Sequence, residues 1–147
     1  MEKRIANEIR LLVIKYPNEE INVKYKLGEQ TIKFQNKTFI LSKSYPFTKP
    51  KLLINDRPYY EILKTNSLKI MKLLIDYQGS DCICCTSVLC NWSPAITIDN
   101  ILNEIDITNN LKRYIKYKLI LQYLNFPNRI SDNILSYLPD IKMIKNI

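Results

Sequence analysis

Between Tyr45 and Lys51 the chain reads Tyr-Pro-Phe-Thr-Lys-Pro-Lys, and this stretch limits the fold more than any other. Proline lacks a backbone N–H, holds φ near its helical value, and biases the preceding residue away from helix. Pro46 and Pro50, four apart, therefore exclude a regular helix and impose an extended, bent segment. Helix and strand patterns have to be arranged on either side of it.

Upstream, residues 2–16 read as an amphipathic helix. Ile5, Ile9, Leu12, Val13 and Tyr16 recur at spacings of three and four, and Pro17-Asn18 stops the pattern. Lys3, Arg4, Glu8 and Arg10 fill the other face, either as a solvated back or as a docking surface. Short strand-like runs follow. Ile21, Val23 and Tyr25 alternate with polar residues, Leu27-Gly28-Glu29 turns, Thr31–Phe34 continues, Gln35-Asn36-Lys37 turns, and Thr38–Leu41 forms a third run. After the proline segment, Lys51–Ile54 reads as another strand and Asn55-Asp56-Arg57-Pro58 as a turn.

Downstream, Ser67–Ile75 has a mainly helical period, ended by Tyr77-Gln78-Gly79-Ser80. A helix starts at Thr97-Ile98-Asp99-Asn100, capped by Thr97 or Asp99, with Ile98, Ile101, Leu102 and Ile105 as its apolar stripe. A second, longer helix spans about residues 108–124, and Phe126-Pro127-Asn128 breaks it. Ser131-Asp132 caps a last helix, with Ile134, Leu135 and Leu138 inward and Pro139 at its end. Helices at both ends of an antiparallel meander predict an α+β fold.

A length of 147 residues suits one domain, and 46% hydrophobic residues suit a packed core. Two glycines in the whole chain argue against a Gly-rich phosphate loop. The net charge is +8, but Lys and Arg are dispersed, with no run of five basic residues. That distribution predicts a solvated surface or an acidic protein partner rather than nucleic acid. No apolar run reaches membrane-span length, and no signal-peptide core opens the chain. A cytoplasmic or nuclear protein with reduced thiols is expected. The abundance of Lys, Ile, Asn and Tyr is what AT-biased genomes produce, and hints at a viral or parasite protein acting inside a host cell.

All four cysteines and the only Trp lie between Cys82 and Trp92. The chain has no His, so a thiol is its one strong nucleophile. Four cysteines within nine positions of one strand cannot staple distant parts of a fold. They suffice in number for zinc, but the usual ligand pairs come from separated segments, and Trp92-Ser93-Pro94 reads as a packed strand leading into a loop. No metal and no cofactor are expected. The cysteines beyond one nucleophile read as small buried hydrophobes, or as partners for reversible oxidation.

These residues resemble a known family. Tyr45-Pro46-Phe47-Thr48-Lys49-Pro50-Lys51 is similar to the Tyr-Pro-Phe-x-x-Pro-Lys signature of ubiquitin-conjugating enzymes. Ile83-Cys84, followed eight residues on by Trp92-Ser93-Pro94-Ala95, resembles their active-site segment, and Ile96–Leu102 resembles the start of their central helix. Lys3-Arg4-Ile5 with Glu8-Ile9 is similar to their N-terminal helix. The resemblance covers roughly residues 2–105. It implies the fold of that family over a single domain, residues 1–147, with a divergent C-terminal part. It places Cys84 at the thioester position. Ubiquitin or a ubiquitin-like protein would arrive there from an activating enzyme and leave for a lysine or another thiol, usually with a ligase. Phe47, Pro94 and Ala95 stand at ligase-binding positions, and Lys3, Arg4 and Arg10 would face the activating enzyme; burial of Phe47 within the proline segment is the alternative.

Three departures accompany the likeness. Tyr60-Glu61-Ile62 stand where the family has His-Pro-Asn, whose Asn stabilises the oxyanion. Counted back from Cys84, Asp76 occupies that Asn position and could act as a base toward an incoming lysine. The interval from Ile62 to Cys84 is longer than in the family, with an apolar Lys64–Tyr77 stretch, and the segment after Ile105 lacks the family's Asp-Pro-Asn-Pro loop. A non-catalytic relative that binds ubiquitin or a ligase is therefore the second reading, and a zinc-dependent adaptor the third.

Overall fold

The structure, a computed structural model, describes all residues except 1, 27, 65–66, 80 and 138–147. It is α+β, with an N-terminal helix, a five-stranded antiparallel sheet and C-terminal helices. Contacts divide the chain into two compact units, residues 1–64 with 84–102 and residues 65–83 with 103–147.

The first unit opens with α1, Glu2–Lys15, which ends next to Pro17 as its sequence requires. The sheet follows in simple order: β1 Ile21–Lys26, β2 Glu29–Phe34, β3 Lys37–Leu41, β4 Lys51–Ile54 and β5 Arg57–Pro58. Three two-residue turns join strands, because the partners are Lys26 with Glu29, Phe34 with Lys37, and Ile54 with Arg57. Each has a residue at positive φ, and the third has two: Gly28 at 83°, Gln35 at 52°, and Asn55 and Asp56 at 51° and 60°. The turn expected over residues 55–58 thus shrinks to Asn55-Asp56, and Arg57-Pro58 pairs as an edge strand.

Ile32 and Phe34 of β2, Phe39 and Leu41 of β3, and Leu52 and Ile54 of β4 alternate inward. Ile5 and Leu12 of α1 are also buried, and the Tyr16 ring lies 4.8 Å from that of Phe34. Burying one such aliphatic or aromatic side chain contributes about 1.5–3 kcal/mol. Edge strand β1 shows the limit of alternation as a signal, since Val23 and Tyr25 are exposed.

The helix stripe differs from expectation at two places. Val13 is exposed, and Glu8, expected on the polar face, is buried at 2% exposure. Beyond β5, a short helix α2, Tyr59–Leu63, carries the Tyr60-Glu61-Ile62 triplet.

In the second unit, α3 spans Leu68–Gln78, capped by the Ser67 hydroxyl at one end and by left-handed Gly79 at the other. The expected turn at Tyr77–Ser80 therefore begins two residues later, and Ser80 lies outside the described residues. Helix α4 runs unbroken from Ile98 to Tyr123, where two helices were expected. Asp106–Asn110 are weak helix formers, but none is Gly or Pro, and Thr108 and Leu111 are buried. Asn125, at φ 57°, ends α4, with Asn125 N–H donating to Gln122 O and Phe126 N–H to Leu121 O.

Helix α5, Asn128–Ser136, starts earlier than the expected Ser131-Asp132 cap, because Pro127 already supplies a suitable φ of −56°. Ser131 is instead buried within it, its hydroxyl donating to Phe126 O at 3.4 Å, and Ile134 is exposed. The expected roles of Leu138 and Pro139 lie outside the described residues. Among the described residues, no helix is long and apolar enough to cross a membrane.

Candidate functional site

The proline segment and residues 84–92 of the cysteine segment are joined in the first unit through Trp92. Its indole N–H donates to Pro46 O at 2.7 Å, and its ring centroid lies 5.9 Å from that of Tyr45. A half-buried tryptophan still favours a partner for its one donor, and the carbonyl before Phe47 provides it. The two motifs that carry the family resemblance are thus fastened to each other.

Beneath them lies a polar knot around Glu8. One carboxylate oxygen accepts from Tyr45 Oη at 2.9 Å, and the other from Ile98 N–H at 3.0 Å. Arg4 Nε sits 2.8 Å from Glu8 Oε1, while Arg4 Nη2 donates to Ile96 O at 2.9 Å. A carboxylate at the first turn of α4 also meets the positive end of the helix dipole. Burial first, and then the Glu8 charge, raise the Tyr45 phenol well above its ordinary value of 10.0. Thr97 completes the start of α4: its hydroxyl accepts from Asn100 N–H at 3.1 Å, and Asn100 Oδ1 accepts from Thr97 N–H at 2.8 Å. Of the two expected caps, Thr97 is the one used. Asp99 accepts from Lys15 at 2.6 Å, which raises the lysine pKa.

The cysteine segment is a succession of turns, where a strand was expected. Ser87 N–H donates to Cys84 O at 3.1 Å, and Cys90 and Asn91 N–H both donate to Ser87 O, at 2.9 and 3.0 Å. The Asn91 side-chain amide spans the loop, donating to Cys85 O at 2.6 Å and to Ser87 O at 3.4 Å. Asn91 was not singled out from sequence; a side-chain amide in a turn-rich run was its only signal. Ile83 is buried. Cys82 and Cys84 are half-buried, Cys85 and Cys90 exposed, and all four are reduced thiols. The Sγ atoms of Cys82, Cys84 and Cys85 lie within 4.8 Å of one another.

The remaining candidates fall as follows. Phe47 is 81% exposed, which excludes its burial in the proline segment, and Pro94 and Ala95 are exposed as well. Lys3 and Arg10 are exposed on α1, with Arg10 Nη2 donating to Asn7 Oδ1, whereas Arg4 is occupied inside the unit by Glu8 and Ile96. Asp76 is exposed near the end of α3, in the second unit. Tyr60, in the place of the missing His-Pro-Asn, is exposed, and its hydroxyl donates to Glu61 at 3.3 Å. An open polar groove of about 550 Å³ on β1 and β2 mixes Glu19 and Glu20 with Lys24 and Lys33, a lining that selects no one charge. Comparison with protein-family profiles, with curated proteins and with solved structures finds no match.

Proposed function

We propose that this chain is a divergent ubiquitin-conjugating enzyme that carries ubiquitin or a ubiquitin-like protein as a thioester on Cys84. The observation that supports this most is the Trp92–Pro46 bond, which joins the two resemblance motifs in one unit beside the cysteine turn. In this reading the Cys84 thiolate attacks the thioester carbonyl offered by the activating enzyme. The tetrahedral oxyanion collapses, a new C–S bond replaces the old, and the activating enzyme's thiolate leaves. A lysine amine or a second thiolate then takes the acyl group and releases the Cys84 thiolate. Exposed Phe47, Pro94 and Ala95 provide the apolar surface a ligase would cover. Lys3 and Arg10 provide the basic face for the activating enzyme, with Arg4 shaping that helix from within. Asp76 is the candidate base toward an incoming lysine. The protein works inside a cell, in the cytoplasm or nucleus, without a cofactor.

A second reading has its own support. Tyr60-Glu61-Ile62, helical in α2, present no side-chain amide, so the family's oxyanion donor is missing there. A module that only binds ubiquitin or a ligase would need none.

Incubation with activating enzyme, ATP and ubiquitin, read on a non-reducing gel, separates the two. A thiol-sensitive adduct that disappears in Cys84→Ser and persists in Cys85→Ser is the expected result. Absence of an adduct with every common modifier would leave the binding module. Asp76→Ala should slow discharge to lysine without changing loading; equal discharge rates would remove Asp76 from the mechanism.

A further inference from the structure

From sequence, zinc is disfavoured because four ligands within nine residues need a tightly wrapped backbone, where a packed strand leading into a loop is expected. The segment is a turn, and Cys82, Cys84 and Cys85 direct their sulfurs to within 4.8 Å of one another. Only three peptide bonds separate the first from the last, so this approach is a property of the local turn. Sulfurs bound at ~2.3 Å to one tetrahedral ion are ~3.8 Å apart, so a contraction of ~1 Å at most closes the site. A rotation about χ1 of exposed Cys85 supplies movement of that size.

The donor set is entirely sulfur. The chain has no His, and among the described residues no carboxylate joins the three thiols. Such a set selects a soft, thiophilic cation over magnesium or calcium. Cys90 lies outside the cluster, which leaves a fourth position open. We infer that Cys82, Cys84 and Cys85 bind one zinc ion as three thiolates, with the fourth vertex open to water or an external ligand. Binding exchanges three S–H protons for one Zn²⁺, giving a Zn(S)₃ group of net charge −1 and three released protons. Affinity therefore rises with pH toward the thiol range. Since Cys84 is a ligand, zinc and a thioester exclude each other there; this consequence rests on the carrier role proposed above.

The full chain is reduced, freed of metal, and titrated with zinc against a chromophoric chelator. One ion per chain is expected, and cobalt in its place should give thiolate-to-metal charge-transfer absorption. Cys82→Ser and Cys85→Ser should each weaken retention by more than the about 10–100-fold that loss of an outer-shell partner costs, with Cys90→Ser unchanged. No retained ion, or retention equal in Cys82→Ser and wild type, would overturn the site. A second readout needs no variant: zinc should protect Cys84 from iodoacetamide in the wild-type chain, by peptide mass. Unprotected Cys84 in zinc-loaded protein overturns the inference. Zinc binding with protection, but no ubiquitin adduct in chelator, would sink the conjugating reading and leave the metal site standing.

Discussion

Glu8 and Cys84 belong to the same compact unit and are held in opposite ways. Glu8 is 2% exposed, and its partners Tyr45 and Ile98 lie 37 and 90 residues along the chain. Cys84 is half-buried in a turn whose backbone bonds close over three or four residues. The carboxylate ties α1, the proline segment and the start of α4 into one piece, at the cost of burying a charge that only full pairing offsets. The thiol sits on a short-range loop where its sulfur can reach a partner. Long-range polar bonds here serve to fix the scaffold, and local ones serve to present the reactive groups.

That contrast can be broken, and the largest effect should come from Glu8. Glu8→Ala leaves the Tyr45 hydroxyl, the Ile98 N–H and Arg4 without their shared acceptor. It should cost about 3 kcal/mol or more by urea denaturation, since removing one partner of a buried pair strands the other. A cost under about 1 kcal/mol would mean that the knot does not hold the unit together.

Tyr45→Phe comes next, at about 2 kcal/mol for a hydrogen bond to a charged acceptor. Its pH dependence is more telling. The folded phenol keeps its proton where the unfolded one, near 10.0, has lost it. This stability is complete below about pH 10 and is lost as pH rises through the higher folded value. Urea midpoints of the wild type should fall across that range, and Tyr45→Phe should flatten the fall.

Asn91→Ala tests the other side of the comparison. Its bonds to Cys85 O and Ser87 O are at the surface, where water replaces them, so the cost should stay below about 1 kcal/mol. A loss near that of Glu8→Ala would show that the cysteine turn is anchored as deeply as the knot. The smallest effect belongs to Lys15 and Asp99, a partly exposed pair worth ~0.2–1 kcal/mol in a double-mutant cycle. The raised Lys15 pKa makes this contribution complete below 10.5 and lost as pH rises through the folded value.

Helix α1 shows how far local pattern carries. Its extent was legible because Pro17 bounds it, and Ile5 and Leu12 face inward as their spacing requires. Glu8 was not legible, because a carboxylate goes inside only when distant donors meet it. The cysteine segment failed in a related way. Cys, Ile, Val and Leu suit a strand, but Ser87 and Asn91 draw the backbone into turns through hydrogen bonds that residue type alone does not reveal. At α5, Pro127 outcompeted the Ser131-Asp132 cap, a choice between two local signals.

By itself, the sequence determined the N-terminal helix, the meander of β1 to β4 with its close turns, the break at Pro46 and Pro50, and the crowding of every thiol into nine positions. All of these follow from backbone sterics and short-range periodicity. Tertiary structure alone decided that Trp92 fastens to Pro46, that a buried Glu8 ties three segments, and that Phe47 stays in solvent. The reason is physical: burial of a charge depends on which distant groups the folded chain brings within hydrogen-bonding reach, and that is not encoded in the spacing of residues along a strand or a helix.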